Sequence, residues 1–487
     1  MKVKDNNIKK SFKSGAFKKG SYSAGLCAVV IAVIIAINMV ATQLPDSVKS
    51  IDLTSQKYFT LSKSTKDILK KLNDEITIYQ VSNKGSEDKT ISKLLKKYQD
   101  LSDKITVKSL DPELNPGLVT QYEASDLSQN SLIVLNGDKK KLIDYSDIYE
   151  TDYSGYYTTG NTSTSFDGEG EITSAINYVT MDELPKMYTL TGHDEQKLSQ
   201  TISDAFVKQN IEMADLNLLT TGNVPEDCDI LGIFAPAKDC SKEEAQSIIS
   251  YLENGGKALI VMNYYFSAGD LPNFGSVLDA YGVAMEQGYV NEVDENYYFR
   301  QGYYLIPEIK QHDITSSFYN SMYVMAPISQ GIKKVDGARE TLKIEDLLTT
   351  SDSSYSDVDY GAEIAADGTN TKSSDDISGP FSLAVSITEE NEDSTTKLVV
   401  YGSYIMFTDD IINSYSLANV DMLKNSVSWM CDLKSAGTIS IDAKSMDVAQ
   451  NTIAAGKANA WTVCYVVLIP LFVIVIGFVI WYRRRRA

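Results

Sequence analysis

Two histidines, His193 and His312, in 487 residues leave almost no material for a histidine-based metal site or catalytic triad. Cysteine is nearly as scarce. Of five, Cys27 and Cys464 fall in apolar runs, which leaves Cys228, Cys240 and Cys431. That is an odd number with no C-x-x-C and no metal-type spacing, so at most one disulfide can form and ordinary buried thiols are expected. Nucleotide chemistry is missing too. No G-x-x-x-x-G-K-[ST] occurs, and Gly255-Gly256-Lys257 follows a predicted helix instead of a strand, so it is no phosphate loop. No G-x-S-x-G elbow and no H-E-x-x-H is present. The acidic run holding Asp352, Asp357 and Asp359 fails the EF-hand spacing. No cofactor and no metal is expected.

What is present begins with two uncharged apolar runs, one near each end. Residues 24–42 follow a basic tail, residues 1–23, and residues 461–482 are followed by the basic tail 483–487 with Arg483 to Arg486. About 20 apolar residues cross a bilayer as a helix. Trp461, Tyr465, Trp481 and Tyr482 would set aromatic rings at both interfaces of the second run. The first run is too long for the apolar part of a signal peptide, and Met39-Val40-Ala41 is a poor cleavage site, so an anchor is expected. Lysine and arginine stay on the cytoplasmic side, which predicts a two-pass cell-membrane protein with both termini inside and the main domain extracytoplasmic.

The formal charge of −20 conceals a division. The first tail holds seven lysines against Asp5, and the last arginines add four positive charges, so the part between the runs is near −30. Such an average opposes nucleic-acid binding, and none is expected.

Strand and helix patterns divide that part. In residues 43–144 the order is a helix around Ile68 and Leu69, a strand at 76–79, an amphipathic helix at 90–101, a strand at 105–107, a short helix near 119–124, and a hairpin pair of strands about Asn136-Gly137. This βαβαββ order is that of a thioredoxin-like domain without redox cysteines. Residues 145–180 are a Tyr/Ser/Gly-rich linker followed by a helix. Tyr145, Tyr149, Tyr153, Tyr156 and Tyr157 fit either a sugar-stacking platform or half-buried loop anchors, and the second is favoured.

Residues 181–435 alternate strand and helix, with strands at 187–190, 212–218, 229–234 and 258–262 and helices at 195–208 and from Ser241 to Gly255. Ser241 and Glu244 form an S-x-x-E capping box. The alternation predicts a doubly wound parallel sheet, interrupted by an acidic disordered loop at 351–378. Residues 436–460 read as a tether. One constellation stands at the carboxyl end of a predicted strand, where open α/β sheets place ligands: Gly192, His193 and Glu195. His193 or Glu195 fits a general base or ligand contact. Alternatively Gly192 makes the turn while Asp194 and Glu195 complement the helix dipole. The second is favoured because no nucleophile is evident beside the turn.

Several stretches resemble the GldG-like family of membrane-anchored ABC transporter auxiliary subunits. They are Asp52-Leu53-Thr54 with Tyr58-Phe59-Thr60-Leu61-Ser62, then Phe166-Asp167-Gly168-Glu169 with Ile172-Thr173-Ser174-Ala175-Ile176, then Tyr188-Thr189-Leu190-Thr191-Gly192-His193. The resemblance implies an ABC ATPase and an ABC-2-type permease as partners. It also implies that the central domain is glutamine-amidotransferase-like without the catalytic cysteine. The family usually has glycine where this chain has Asp194, which weakens ligand binding at that turn. The expected fold is an α/β ectodomain, thioredoxin-like plus doubly wound amidotransferase-like, between two transmembrane helices. The expected function is a non-enzymatic auxiliary subunit of a bacterial ABC-2-type complex. The alternatives are an extracytoplasmic cell-wall or carbohydrate binding module and a hydrolase or transferase at the His193 turn.

Overall fold

A computed structural model describes residues 29–36 and 39, and residues 52–431 except 53, 55, 153–161, 265–270, 359–371, 392–393 and 414. It also describes 441, 443–446, 477, 481, 483, 485 and 486. The expected spans 24–42 and 461–482 lie mostly outside these residues, as do Tyr153, Tyr156 and Tyr157. No helix among the described residues is long and apolar enough to cross a membrane. The fold is mixed α/β.

The first unit begins with α1 (Lys63–Lys71), capped by Ser62, whose side chain accepts from the Thr65 amide. β1 (Ile76–Val81) leads to α2 (Lys89–Leu101), where Asp88 accepts from the amides of Thr90 and Ile91. β2 (Ile105–Leu110), α3 (Pro116–Gln121), β3 (Leu132–Asn136) and β4 (Lys139–Ile143) follow. The sheet runs β2-β1-β3-β4, with β1 parallel to β2 and the other two pairs antiparallel. Gly137 turns the β3–β4 hairpin at φ +57°, a conformation glycine adopts without strain.

Residues 145–180 are more regular than their composition predicts. A short helix (Tyr145–Ile148) is followed by β5 (Tyr149–Asp152) and β6 (Ser163–Phe166), which pair antiparallel before α4 (Gly168–Thr180). Aromatic and β-hydroxyl residues suit a pleated, half-buried surface, so the bias that reads as a loop also makes strands. Tyr145 and Tyr149 are half-buried, their rings 4.9 Å apart, and Tyr149 lies 5.1 Å from Phe166. α1, α2 and α4 cover one face of the sheet through Ile68, Leu94, Tyr98 and Ile172; Leu118 and Val119 of α3 pack on the other, at Val81, Leu110 and Ile133.

In the central unit β7 (Lys186–Leu190), α5 (Gln200–Lys208), β8 (Glu212–Leu216), β9 (Ile230–Phe234), α6 (Lys242–Glu253), β10 (Lys257–Val261) and α7 (Pro272–Ala280) alternate. β11 (Val283–Met285) follows directly, and past a lobe of short strands come β12 (Ile332–Lys334), β13 (Leu342–Thr349), β14 (Ser382–Glu390), β15 (Thr395–Tyr401) and α8 (Asn419–Met430). The sheet runs β11-β12-β14-β15-β10-β9-β7-β8, and β13 also pairs with β14. β8, β7, β9, β10 and β15 are mutually parallel. β9 is buried at all five positions, as a strand covered on both faces must be. α5 and α8 contribute Phe206 and Leu423 to the core on one face, α6 and α7 contribute Ile248 and Leu278 on the other.

Three expectations need correction. The helix predicted from 195 begins only at Gln200, because Glu195 turns back onto His193 and Ser199 makes the cap. The acidic loop 351–378 is partly structured, since Tyr355–Asp357 and Ile377–Ser378 pair as strands. The tether is not wholly without regular pairing either: β16 (Lys444–Ser445) pairs antiparallel with β6.

Candidate functional site

The strand order reverses between β7 and β9, and the crevice at the carboxyl ends of those strands is where such sheets bind ligands. His193 stands there. Gly192 at φ +121° and Asp194 at φ +55° form a tight turn that aims the imidazole inward. Its Nδ1 lies 3.0 Å from Glu195 Oε1, and its Nε2 lies 3.2 Å from Glu244 Oε2. All three side chains are 5% exposed. Glu195 also accepts from the His193 amide at 2.8 Å, and Glu244 from the Ser241 amide at 2.8 Å. Burial pushes the Glu244 carboxyl up, but the Ser241 amide and hydroxyl and His193 together hold it below its ordinary range.

The same turn fills the crevice. The His193 carbonyl accepts from the amides of Ala237 and Lys238, both at 3.0 Å, and the Gln196 amide donates to Phe234 O at 2.9 Å. Phe274 meets the imidazole edge-on at 5.5 Å. The sequence-predicted residues Gly192, His193 and Glu195 are therefore together, but their polar atoms serve one another. Glu244, 51 positions away from His193, completes the set and was legible only as a helix cap. Its Oε1 has no hydrogen-bond partner among the described residues. At the end of β9 a buried Ala235 adopts φ +48°. A strained elbow at such a strand end presents a nucleophile in hydrolases; here the side chain is a methyl group.

His312 lies beside Ser386, Nε2 to Oγ at 3.3 Å, with Glu345 Oε2 3.7 Å from the same nitrogen. Nδ1 accepts from the Ile314 amide at 3.1 Å. A triad needs the carboxylate on Nδ1, so this arrangement lacks the geometry for one. Cys228 and Cys240 are buried and Cys431 half-buried, none of the three in a disulfide among the described residues, with burial pushing the first two thiols up to about 11 and about 12.

A second cluster gathers around α4. Asp52 Oδ1 accepts from the Thr54 amide at 3.1 Å and Asp52 Oδ2 from the Phe59 amide at 2.7 Å, so the segment leading away from the first apolar run is a fixed turn. The Asp52 carboxyl is pushed up by burial, but these bonds to Thr54 and Phe59 outweigh that and hold it low. Glu169 in the first turn of α4 accepts from the Ser62 amide at 2.5 Å and from Thr65 Oγ1 at 2.8 Å. Its other oxygen lies 2.9 Å from Lys444 Nζ. Lys444 also donates to the carbonyls of Lys57 and Thr60, and Tyr58 OH donates to Ser445 O at 2.8 Å. The chain coming from the first apolar run and the chain leading to the second meet here.

Neighbouring acids of α4 point the other way. Asp167 pairs with Lys208 at the end of α5, and Glu171 Oε1 lies 3.2 Å from the same ammonium. Ser174 Oγ donates to Lys208 O at 2.6 Å and Asn210 Nδ2 to Ser174 O at 3.0 Å. These bonds join the two units beside a cavity of about 590 Å³. Burial, then Asp147 and Glu150, push the Glu171 carboxyl up to about 7. Burial, with the nearby Lys424 charge, draws the Lys208 ammonium below its ordinary value against the opposing pull of Glu150 and Asp147.

Comparison with known proteins gives the wider setting. Residues 55–148 match a domain of unknown function, DUF7088. No curated protein matches the chain. Among solved structures, the chain is similar to the mmIFT52 N-terminal domain, with TM-score 0.39 and 13% identity, covering 50% of this chain and 97% of that one. It is also similar to PurLQS from Thermotoga maritima, with TM-score 0.27 and 10% identity over 51% of this chain and 100% of that one. A third is a GMP synthase component from Thermoplasma acidophilum, with TM-score 0.27 and 7% identity over 52% of this chain and 98% of that one. Residues 184–426 match the family model of an ABC-type uncharacterized transport system. The chain belongs to that family, as a GldG-like ABC transporter auxiliary protein.

Proposed function

We propose that this chain is a non-enzymatic auxiliary subunit of an ABC-2-type transport complex, anchored in the cell membrane by residues 24–42 and 461–482, with its acidic domains extracytoplasmic. In this reading residues 43–144 are thioredoxin-like and 181–435 are a doubly wound, amidotransferase-like domain without a nucleophile. ATP hydrolysis belongs to a separate ATPase chain, in keeping with the missing phosphate loop, and translocation to a permease. The observation that carries the reading is the meeting of Tyr58 and Ser62 with Lys444 and Ser445 around Glu169. Two apolar runs at opposite ends of a sequence need such a meeting if their helices are to stand side by side. The His193 cluster supports the non-enzymatic part, because both imidazole nitrogens face carboxylates that are themselves held by backbone amides.

Affinity purification of the full chain from mild detergent tests this. An ATPase and a permease should co-elute in stoichiometric amount. Repeated recovery of the chain alone would overturn the complex. If the turn is only structural, transport normalised to the amount of folded chain should be unchanged in cells carrying His193→Ala, whatever that substitution costs in abundance.

A further inference from the structure

The average charge between the apolar runs hides a reversal. Residues 57–108 hold twelve lysines against seven acidic residues, inside a portion whose total is near −30. α1 and α2 concentrate it, with eight lysines against two aspartates. The spacing places them together. Lys63, Lys66 and Lys70 follow one face of α1, while Thr65, Ile68 and Leu69 are buried on the other. Lys89, Lys93 and Lys96 do the same on α2, opposite Ile91, Leu94, Leu95 and Tyr98. Both helices lie on the same face of the first sheet and touch each other, so the two lysine rows form one outward surface.

Its position matters as much as its sign. Lys93 Nζ sits 3.8 Å above the Phe59 ring, in the segment that follows the first apolar run. Glu169 holds that segment, α1 and Lys444 together. The basic surface therefore adjoins the point where both apolar runs must leave the folded part. We infer that the lysine face of α1 and α2 rests on the anionic lipid headgroups of the bilayer in which the chain is anchored. The inference rests on the two-span reading above. A basic surface near anionic lipid gains roughly fivefold in partitioning per lysine. The acidic remainder is repelled by the same field, so the two signs together fix which side of the ectodomain faces the membrane.

The test uses the full chain in nanodiscs of phosphatidylcholine, with and without phosphatidylglycerol, and mass spectrometry of lysine acetylation rates. Lysines of α1 and α2 should react at least tenfold more slowly in the anionic discs, and added salt should erase the difference. Lys238 and Lys343, in the central unit, should react equally in both. Combined Lys63→Gln, Lys70→Gln, Lys89→Gln and Lys96→Gln, with unchanged circular dichroism, should lose the protection of Lys66 and Lys93. Equal rates in both lipids would overturn the inference while leaving the anchor intact. Equal protection by soluble polyphosphate in neutral discs would overturn it in favour of a soluble polyanion. Failure of the chain to enter discs at all would remove the anchor and the inference together.

Discussion

Lys444 reaches Glu169 across 275 positions of sequence, and the two meet at 2.9 Å with the Glu169 side chain only 4% exposed. The carboxylate has three further tasks in one place, since it also holds the Ser62 amide and the Thr65 hydroxyl while beginning α4. Removing one partner of a buried charged pair leaves the other uncompensated. Glu169→Ala should therefore lower stability by about 2–3 kcal/mol. Hydrogen exchange should show the loss first in residues 444–446 and in α1. Glu169→Gln, which keeps an acceptor for Ser62, should cost less than half as much.

Glu171 gives a pH dependence with a definite sign. Its carboxyl is raised in the folded chain to about 7 from an ordinary 4.5, so the folded state binds the proton more tightly than the unfolded one. Stability from this group is present in acid and is lost as pH climbs from about 4.5 through 7. Glu171→Gln should leave stability near pH 5 almost unchanged and exceed the parent by about 1–3 kcal/mol at pH 8. Urea unfolding at both pH values measures it. Equal pH slopes for parent and variant would show that Lys208 compensates the carboxylate fully.

At the His193 turn the deletion should be severe. Without the imidazole, Glu195 and Glu244 lose the group between them at a site 5% exposed. His193→Ala should cost about 3–5 kcal/mol, read by chemical denaturation. Adding Glu244→Gln to it should recover part of that loss, a non-additivity that a double-mutant cycle would resolve. Strict additivity would mean that the pair is not coupled.

Asp194 offers the opposite case. It occupies the left-handed region at φ +55°, and its ion pair with Lys238 is largely exposed, at 61% and 69%. Exposed pairs contribute little, whereas glycine adopts that backbone freely. Asp194→Gly should be neutral or raise stability by roughly 0.5 kcal/mol, measured as a small upward shift in Tm.

Local signals carry much of this structure. The Ser241–Glu244 capping box, the Asn136-Gly137 hairpin and the apolar run of β9 are all legible because each depends on residues a few positions apart. Glu195 shows where that stops. Its charge fits a helix start, yet it bonds His193, and the helix waits for Ser199. Glu244 is readable as a cap but not as a partner of His193, since that contact needs β7 and α6 to be placed side by side. Asp167 and Glu169 look alike in sequence; only the packing sends one to Lys208 and the other to Lys444. The residues 149–166 hide two strands because serine, threonine and tyrosine serve turns and sheets equally well.

β16 is two residues long and is the last strand of the described chain, yet it makes β6 the middle strand of its three-stranded sheet instead of an edge. Order of synthesis then becomes a hazard. Everything through α8 emerges before Lys444 does, and until it arrives β6 shows a row of unpaired backbone groups and Glu169 lacks its cation. A product truncated just after Met430 would hold a complete central sheet with an open seam at its base, a template for a strand from another copy. The final stretch before the second apolar run thus seals the protein against itself.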